Sequence, residues 1–236
     1  MEADGGASVP DLRIRDGKRQ SVFRAYVFPH MDQPNLTVLP HALVTRLTFE
    51  DGRATGVQIS YEGAIHTPKV LTQSGIGDQT ELRRFGIPLV QHLPGVGHGF
   101  QDHPAFRCLW ECSEALPPSL VAEAVIYWKS HAGLDSPDFQ ILQGVLSAQD
   151  AAKFGLPASG WALIGNVVQP KSRGRICLTG SDPADAVQIE ANYLFDPDDR
   201  KALFACVQLS REIGNSRALR PFVKRESYRA DQNELN

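Results

Sequence analysis

Alternating apolar and polar residues predict a β-hairpin in the first quarter of the chain. Residues 42–49 alternate as a half-buried strand does, and Asp51-Gly52 is a strong signal for a tight hairpin turn. Residues 54–61 then alternate again, as the partner strand would. The sequence therefore predicts an antiparallel pair around this turn.

Two runs before the hairpin also favour extended structure. Residues 22–28 are rich in β-branched and aromatic side chains, and residues 34–39 resemble the start of a strand after a turn. With the hairpin, they predict an antiparallel meander over residues 35–61.

The second half of the chain carries both strand and helix patterns. Helices are predicted at residues 120–128, from one apolar face, and at residues 200–213, where acidic residues precede the first turn. The predicted strands and extended runs are residues 106–112, 137–142, 160–168, 175–179 and 188–194. Antiparallel strands with helices on one side indicate an α+β fold.

A glycine-rich stretch separates these two halves. Thr67 can cap a helix, and Pro68 suits the first helical position because its missing N–H costs nothing there. After that short helix, Gly75 and Gly77 flank one apolar residue. Paired glycines permit positive φ or a close approach of the backbone to a neighbouring group.

This stretch resembles the second sequence motif of the glucose–methanol–choline (GMC) family of FAD-dependent alcohol oxidoreductases. The ten fixed positions of that motif are filled by Gly63, Ala64, Thr67, Pro68, Val70, Leu71, Ser74, Gly75, Ile76 and Gly77. The continuation also agrees, with Leu-Pro-Gly-Val-Gly at residues 93–97 and Gln-Asp-His-Pro at residues 101–104. The resemblance covers residues from about 14 to 225.

The resemblance implies two domains. Residues 1–104 would form part of an FAD-binding domain, built from the meander and short helices, and residues 105–236 would form a substrate-binding domain. In the family, the antiparallel sheet of the second domain is flanked by helices and roofs the active site over the flavin ring.

The resemblance also implies cofactor-binding residues. Val44 matches a valine whose backbone contacts the adenine side of FAD, and the turn containing Ser74, Gly75 and Gly77 belongs to the motif. A further pair, Asp102 and His103, would orient a loop beside the flavin. Without the resemblance, Val44 would be interpreted as a core valine, Asp102 as a turn cap and His103 as an ordinary loop histidine.

Two family elements have no counterpart in the sequence. No Gly-x-Gly-x-x-Gly series opens a nucleotide-binding β-α-β unit, and no histidine can be assigned as the base that takes the alcohol proton while hydride passes to flavin N5. Compared with the family pattern, a strand and a turn are also missing near residues 61–63. The expectation is a chain truncated at both ends, with no catalytic residue and an exposed face that favours self-association.

The function implied is FAD-dependent oxidation of the CH–OH group of a small-molecule alcohol. The alternative is a catalytically inactive remnant that does not hold FAD alone. A generic α+β binding module is a third interpretation, but it leaves the ten motif matches unexplained.

Composition narrows the partners and the compartment. A net charge of -3 and a pI near 6.2 give no reason to expect nucleic acid as a partner. Apolar runs are too short to span a membrane, and the polar N-terminus is unlike a signal peptide, so a cytoplasmic location is expected. The four cysteines lack metal-site spacing; core thiols are favoured over a disulfide, and no metal is expected.

Overall fold

The computed structural model describes residues 5–9, 14–15, 18–60, 67–112, 124–146, 152 and 160–227. The strands in chain order are β1 (Gly5–Ser8), β2 (Ile14–Arg15), β3 (Lys18–Arg19), β4 (Leu43–Glu50), β5 (Arg53–Ser60), β6 (Ile76–Gly77), β7 (Gln91–His92), β8 (His98–Phe100), β9 (Ala105–Cys112), β10 (Ala124–Trp128), β11 (Phe139–Leu146), β12 (Gly160–Val167), β13 (Gly174–Leu178), β14 (Val187–Glu190) and β15 (Val223–Ser227). The α-helices are α1 (Thr67–Gln73), α2 (Gln79–Arg84) and α3 (Pro197–Gly214). Helices and antiparallel sheets thus coexist, and the predicted α+β class is confirmed.

The chain divides into two compact units made of non-consecutive segments. Unit A consists of Met1–Asp11, Asp102–Ser172 and Tyr193–Asn236. Unit B consists of Leu12–Gln101 and Arg173–Asn192. Assignment of residues 1–104 to FAD binding and of residues 105–236 to substrate binding stays a prediction.

Unit A is built on one antiparallel sheet. Among its described residues, six strands lie in the order β1-β10-β11-β12-β9-β15. The centre of this sheet pairs β11 with β12 from Phe139↔Val167 to Leu146↔Gly160, and β12 with β9 across Trp161↔Trp110. Helix α3 contacts β9, β11 and β12 and so covers one face of the sheet.

The core of unit A lies between this sheet and α3. The Trp110 and Trp161 rings stack at a centroid distance of 4.5 Å, and Trp110 donates its indole N–H to Oδ1 of Asn215 over 3.3 Å. Cys206 of α3 is fully buried, and burial raises the pKa of its thiol to about 12. All four cysteines are free thiols, so Cys206 is the core thiol expected from the sequence.

Helix α3 begins where its acidic N-terminus predicts. The Asp196 carboxylate accepts the N–H of Asp198 over 2.8 Å, and Pro197 occupies the first turn. The buried Asp199 carboxylate accepts the N–H groups of Lys171 at 2.7 Å and Ser172 at 2.8 Å. Asp199 therefore joins the segment before β13 to the start of the helix.

Charge holds the last strand to the sheet of unit A. The side chain of Glu111 is only 4% exposed, and it lies 2.6 Å from Nζ of Lys224 and 2.7 Å from Nε of Arg225. One carboxylate on β9 thus binds two consecutive cations on β15. The side-chain pairs reinforce the ladder between these strands.

Unit B contains the predicted hairpin. β4 and β5 pair antiparallel around Asp51 and Gly52, whose φ angles of 48° and 74° are those of a two-residue turn with both central residues left-handed. A second sheet orders its strands β14-β13-β8, and β6 pairs parallel with β7. The predicted hairpin is confirmed.

Three predicted elements were wrong. Residues 22–28 form helical turns, Phe23–Val27 and Phe28–His30. Ser21 stabilises the start of the first turn, because its hydroxyl accepts the N–H of Arg24 and its carbonyl that of Ala25. Residues 34–39 contain turns rather than a strand, so only the hairpin of the meander is present in the described part of unit B.

The third wrong element is the helix over residues 120–128. Residues 124–128 form β10, which pairs with β1 on one side and β11 on the other. Two ladders of backbone hydrogen bonds outweigh the local helical pattern. Residues 120–123 lie outside the described residues, as do Gly63, Ala64, His66 and the shortened link near residues 61–63.

No helix within the described ranges is long and apolar enough to cross a membrane.

Candidate functional site

Ser74 joins the end of α1 to the hairpin of unit B. Its hydroxyl accepts the N–H of Leu47 over 2.7 Å and donates to the carbonyl of Val70 over 2.6 Å. The side chain is buried, with 6% of the residue exposed. Both hydrogen bonds are made within the chain, so Ser74 fixes strand β4 against the helix.

Gly75 allows a close approach between two backbone segments. Its φ is +85°, and a Cβ at this position would lie 2.3 Å from the carbonyl oxygen of Pro88. The Gly75 carbonyl accepts the N–H groups of Val90 at 2.8 Å and Gln91 at 3.1 Å. Glycine is therefore required at this position by the backbone of Pro88, which belongs to the same chain.

Gly77 also binds the loop after α2, but its φ is not positive. The short parallel ladder places Gly77 beside His92, and the Gly77 carbonyl accepts the N–H of Leu93 over 2.9 Å. A Cβ at Gly77 would make ordinary contact with Thr72 at 3.4 Å. The motif thus anchors the loop after α2.

Val44 lies on β4 opposite Ile59 and is half-buried. An extra residue follows it, since Val44 pairs with Ile59 and Arg46 with Gln58, leaving Thr45 as a bulge. A bulge interrupts the ladder and redirects the side chains that follow it. Strand β4 therefore leaves its regular register one residue after the predicted cofactor contact.

Two buried polar side chains of α1 were missed by the sequence analysis. Lys69, 8% exposed, donates its ammonium group to the carbonyls of Pro183, at 2.7 Å, and Asp185. Gln73, 2% exposed, donates to the carbonyl of Asp182 over 2.9 Å. Their spacing of four residues puts both on one helix face, and that spacing was the available signal.

Replacing Lys69 by methionine is expected to lower the free energy of unfolding of unit B by about 2 kcal/mol. The methionine keeps most of the apolar stem but leaves the carbonyls of Pro183 and Asp185 without their charged donor. Urea unfolding measures the change. Lys201→Met is the control, because the Lys201 side chain is 74% exposed. An equal loss of stability in both variants would show that the hydrogen bonds of Lys69 to the two carbonyls do not stabilise unit B.

Asp102 and His103 lie in unit A, at the start of its second segment. The Asp102 carboxylate accepts the Tyr193 hydroxyl at 2.6 Å and the His103 N–H at 2.8 Å. The Tyr193 hydrogen bond, followed by that of His103, holds the pKa of Asp102 below its usual range. The same bond raises the pKa of Tyr193.

Replacing Tyr193 by phenylalanine is expected to move the pKa of Asp102 up towards its ordinary value. A depressed carboxylate pKa contributes stability above the unfolded pKa, and the contribution is lost as pH falls through the folded pKa. The variant should therefore lose stability at neutral pH, and the difference from the parent should vanish in acid. Carboxyl NMR titration of Asp102 measures the shift, with Tyr26→Phe as control, and an unmoved Asp102 titration would refute the expectation.

The predicted cofactor-binding residues fall into two groups. Val44, Ser74, Gly75 and Gly77 belong to unit B, where the hydrogen bond from Leu47 to Ser74 links their two segments. Asp102 and His103 belong to unit A. No cluster of three or more metal-binding side chains occurs in the ranges that the structure covers. The cofactor-binding roles stay predictions.

Comparison with family models decides the relationship. The N-terminal model of the GMC oxidoreductases matches residues 3–105, and the C-terminal model matches residues 170–236. Together they cover most of the chain, and each lies in the order expected for the family. The chain belongs to the GMC oxidoreductase family.

Curated relatives of this GMC chain include dehydrogenases. An alcohol dehydrogenase [acceptor] of Pseudomonas putida is 29% identical over 265 residues, which cover 94% of this chain and 48% of the relative. An oxygen-dependent choline dehydrogenase of Staphylococcus aureus is 29% identical over 252 residues, covering 90% and 44%. The GMC chain thus spans about half the length of the curated relatives it matches.

Solved structures agree with the fold of the GMC chain. Pyridoxine 4-oxidase from Mesorbium loti superposes with a TM-score of 0.79 at 25% identity, over 97% of this chain and 49% of that one. A formate oxidase of Aspergillus oryzae gives a TM-score of 0.71 at 19% identity, over 84% and 47%. The resemblance inferred from the motif is confirmed.

Proposed function

We propose that this chain serves FAD-dependent oxidation of the CH–OH group of an alcohol donor. The observation that carries the proposal is the match of both GMC family models, over residues 3–105 and 170–236. The named relatives act on alcohols, choline or pyridoxine, which supports a small-molecule alcohol as the donor here. FAD, when bound, supplies the acceptor for the two electrons that leave the alcohol.

Ser74, Gly75 and Gly77 of the motif are engaged within unit B. The Ser74 hydroxyl makes both of its hydrogen bonds within the chain, and the Pro88 carbonyl fills the space beside Gly75. A Cβ at Gly77 would contact Thr72. We therefore give these three residues a supporting role and route no chemical step through them.

Direct contact with FAD is proposed for the remaining predicted residues. Val44 would act through its backbone, at the point where the ladder of β4 is interrupted. Asp102 would orient its loop through Tyr193 and through the N–H of His103. No side chain of this chain is assigned as the base that removes the alcohol proton.

A second candidate is a chain that does not hold FAD by itself. The internal use of the Ser74 hydroxyl and of the Gly75 approach favours this candidate, because both features are explained without a cofactor. Such a chain would act as a remnant or associate with another copy through exposed apolar surface. Self-association and the cytoplasmic location expected from the sequence stay predictions.

The visible absorption spectrum tests the two candidates. The purified chain is incubated with FAD, desalted and measured, with the heat-unfolded chain as the control for adsorption. A retained flavin band is the expected result, and bleaching of that band by choline or pyridoxine under anaerobic conditions would show alcohol oxidation by this chain. A colourless chain after desalting would reject autonomous FAD binding and support the second candidate.

A further inference from the structure

A cavity of about 530 Å³ in unit B is bordered by Arg46. Its walls come from β4, the end of α1 and the loop after α2. Nε of Arg46 is buried there and has no hydrogen-bond partner. A buried N–H donor without an acceptor is costly, so the position favours a ligand that supplies one.

Strand β4 forms one wall of this cavity over four consecutive residues, Arg46 to Phe49. A bulge precedes Arg46, because Val44 pairs with Ile59 and Arg46 with Gln58, which leaves Thr45 as the extra residue. A bulge interrupts the regular alternation of side chains, and this one lies directly before the charged residue of the wall.

The charge of the cavity selects the sign of the ligand. Arg46 is the single charged residue among those that line it, so the lining carries one positive charge. The last residues of α1, Gln73 and Ser74, also border the cavity, and a helix C-terminus disfavours further negative charge. One guanidinium beside a helix C-terminus suits a monoanion better than a phosphate dianion.

The remaining walls select the body of the ligand. Leu47, Phe49, Phe85, Ile87 and Val90 give the cavity an apolar lining. The planar fork of a guanidinium matches a carboxylate, to which it can donate two parallel hydrogen bonds. An aromatic or short aliphatic group attached to a carboxylate would meet both the charge and the apolar walls.

We propose that this cavity is a binding site for a small apolar monocarboxylate, with Arg46 binding its carboxylate group. The proposal concerns a ligand other than FAD and the alcohol donor. Its ligand is a free carboxylate rather than an acidic side chain of another polypeptide.

Isothermal titration of the full chain with benzoate tests the site in the absence of FAD. Saturable binding is expected, and Arg46→Gln should weaken it by at least about tenfold, because a hydrogen-bonded charge is lost. Benzyl alcohol, which has the same body without the charge, and phenyl phosphate should both bind more weakly. Arg53→Gln is the matched control, since it removes one charge from an exposed position of the same hairpin.

Three results would overturn the proposal. If the parent chain does not bind benzoate, the site does not exist. If the parent and Arg46→Gln bind benzoate equally well, Arg46 is not part of the site. Equal binding of benzyl alcohol would show an apolar pocket without anion selectivity. If the parent does not bind benzoate and Arg46→Gln sediments differently from the parent, the group that accepts the hydrogen bond of Arg46 belongs to another polypeptide.

Folding of the variant is checked separately. Arg46→Lys keeps the charge but not the planar fork, so it should fold like the parent and bind benzoate with intermediate affinity. If Arg46→Gln unfolds at lower urea concentration than the parent, the benzoate affinities of Arg46→Lys and the parent are compared instead. Equal benzoate affinity in those two proteins would then reject a forked carboxylate contact.

Discussion

Replacing Gly75 by alanine is expected to destabilise unit B by about 2–5 kcal/mol. The left-handed φ of +85° costs an alanine about 1–2 kcal/mol. The new Cβ would also lie 2.3 Å from the Pro88 carbonyl oxygen, so one of two backbone segments must move. Overpacking of this kind adds about 1–3 kcal/mol.

Gly86 provides a matched control for the cost of backbone conformation. It has a φ of +67° and no atom within 4 Å of the position that a Cβ would take. Gly86→Ala should therefore show the conformational cost without the steric one, about 1–2 kcal/mol. The difference between the two variants isolates the contact with Pro88.

Hydrogen exchange is the appropriate measurement, because all three tryptophans lie in unit A and fluorescence would not report on this site. The amides of Val90, Gln91 and Leu93 bond to the Gly75–Gly77 turn and should lose protection first in Gly75→Ala. Equal protection of these amides in Gly75→Ala and Gly86→Ala would show that the contact with Pro88 adds nothing to the destabilisation.

Local chemistry explains the elements that the sequence predicted well. Asp51 and Gly52 adopt the positive φ angles that a two-residue turn demands, and few other residue pairs tolerate them. Asp196 caps α3 because its carboxylate reaches an N–H two residues ahead. In both cases, the signal and the structure involve residues that are close neighbours along the chain.

Non-local pairing explains the elements that the sequence could not predict. The apolar residues of Ala124–Trp128 satisfy a helical face and a strand equally well over so short a run. The choice is made by pairing with β1, which comes from the distant N-terminal segment, and with β11, the next strand along the chain. The run at residues 22–28 shows the reverse case, since it forms helical turns and pairs with no strand among the described residues.

The sequence predicted which residues form the candidate site, but not the partners that they contact. The motif identified Ser74, Gly75 and Gly77, but their partners Leu47, Pro88 and Leu93 are set by the packing of the hairpin and the loop. Arg46 follows a bulge at Thr45, which no residue type in β4 signals. Bulge positions follow from the whole sheet and its neighbours, so residue type alone does not locate them.

Replacing Trp110 by alanine is expected to destabilise unit A by about 3–5 kcal/mol. Its side chain is fully buried, it stacks on Trp161 with an interplanar angle of 15°, and its indole N–H bonds to Asn215. Loss of the ring removes apolar burial and leaves a cavity between β9, β12 and α3, which partial relaxation cannot fill. The freed Asn215 oxygen adds a smaller cost at the end of α3.

Two further variants separate these contributions, with urea unfolding followed by far-UV circular dichroism. Trp110→Phe keeps most of the volume and loses the hydrogen bond, so it should cost less than Trp110→Ala. Trp128→Ala removes a ring that is 36% exposed at the end of β10 and should also cost less, because fewer contacts surround it. If Trp128→Ala were as destabilising as Trp110→Ala, the centre of the unit A core would lie towards β1 and β10. The stacked tryptophan pair would then be packed at its periphery, and α3 would contribute less to the stability of the sheet than its buried contacts indicate.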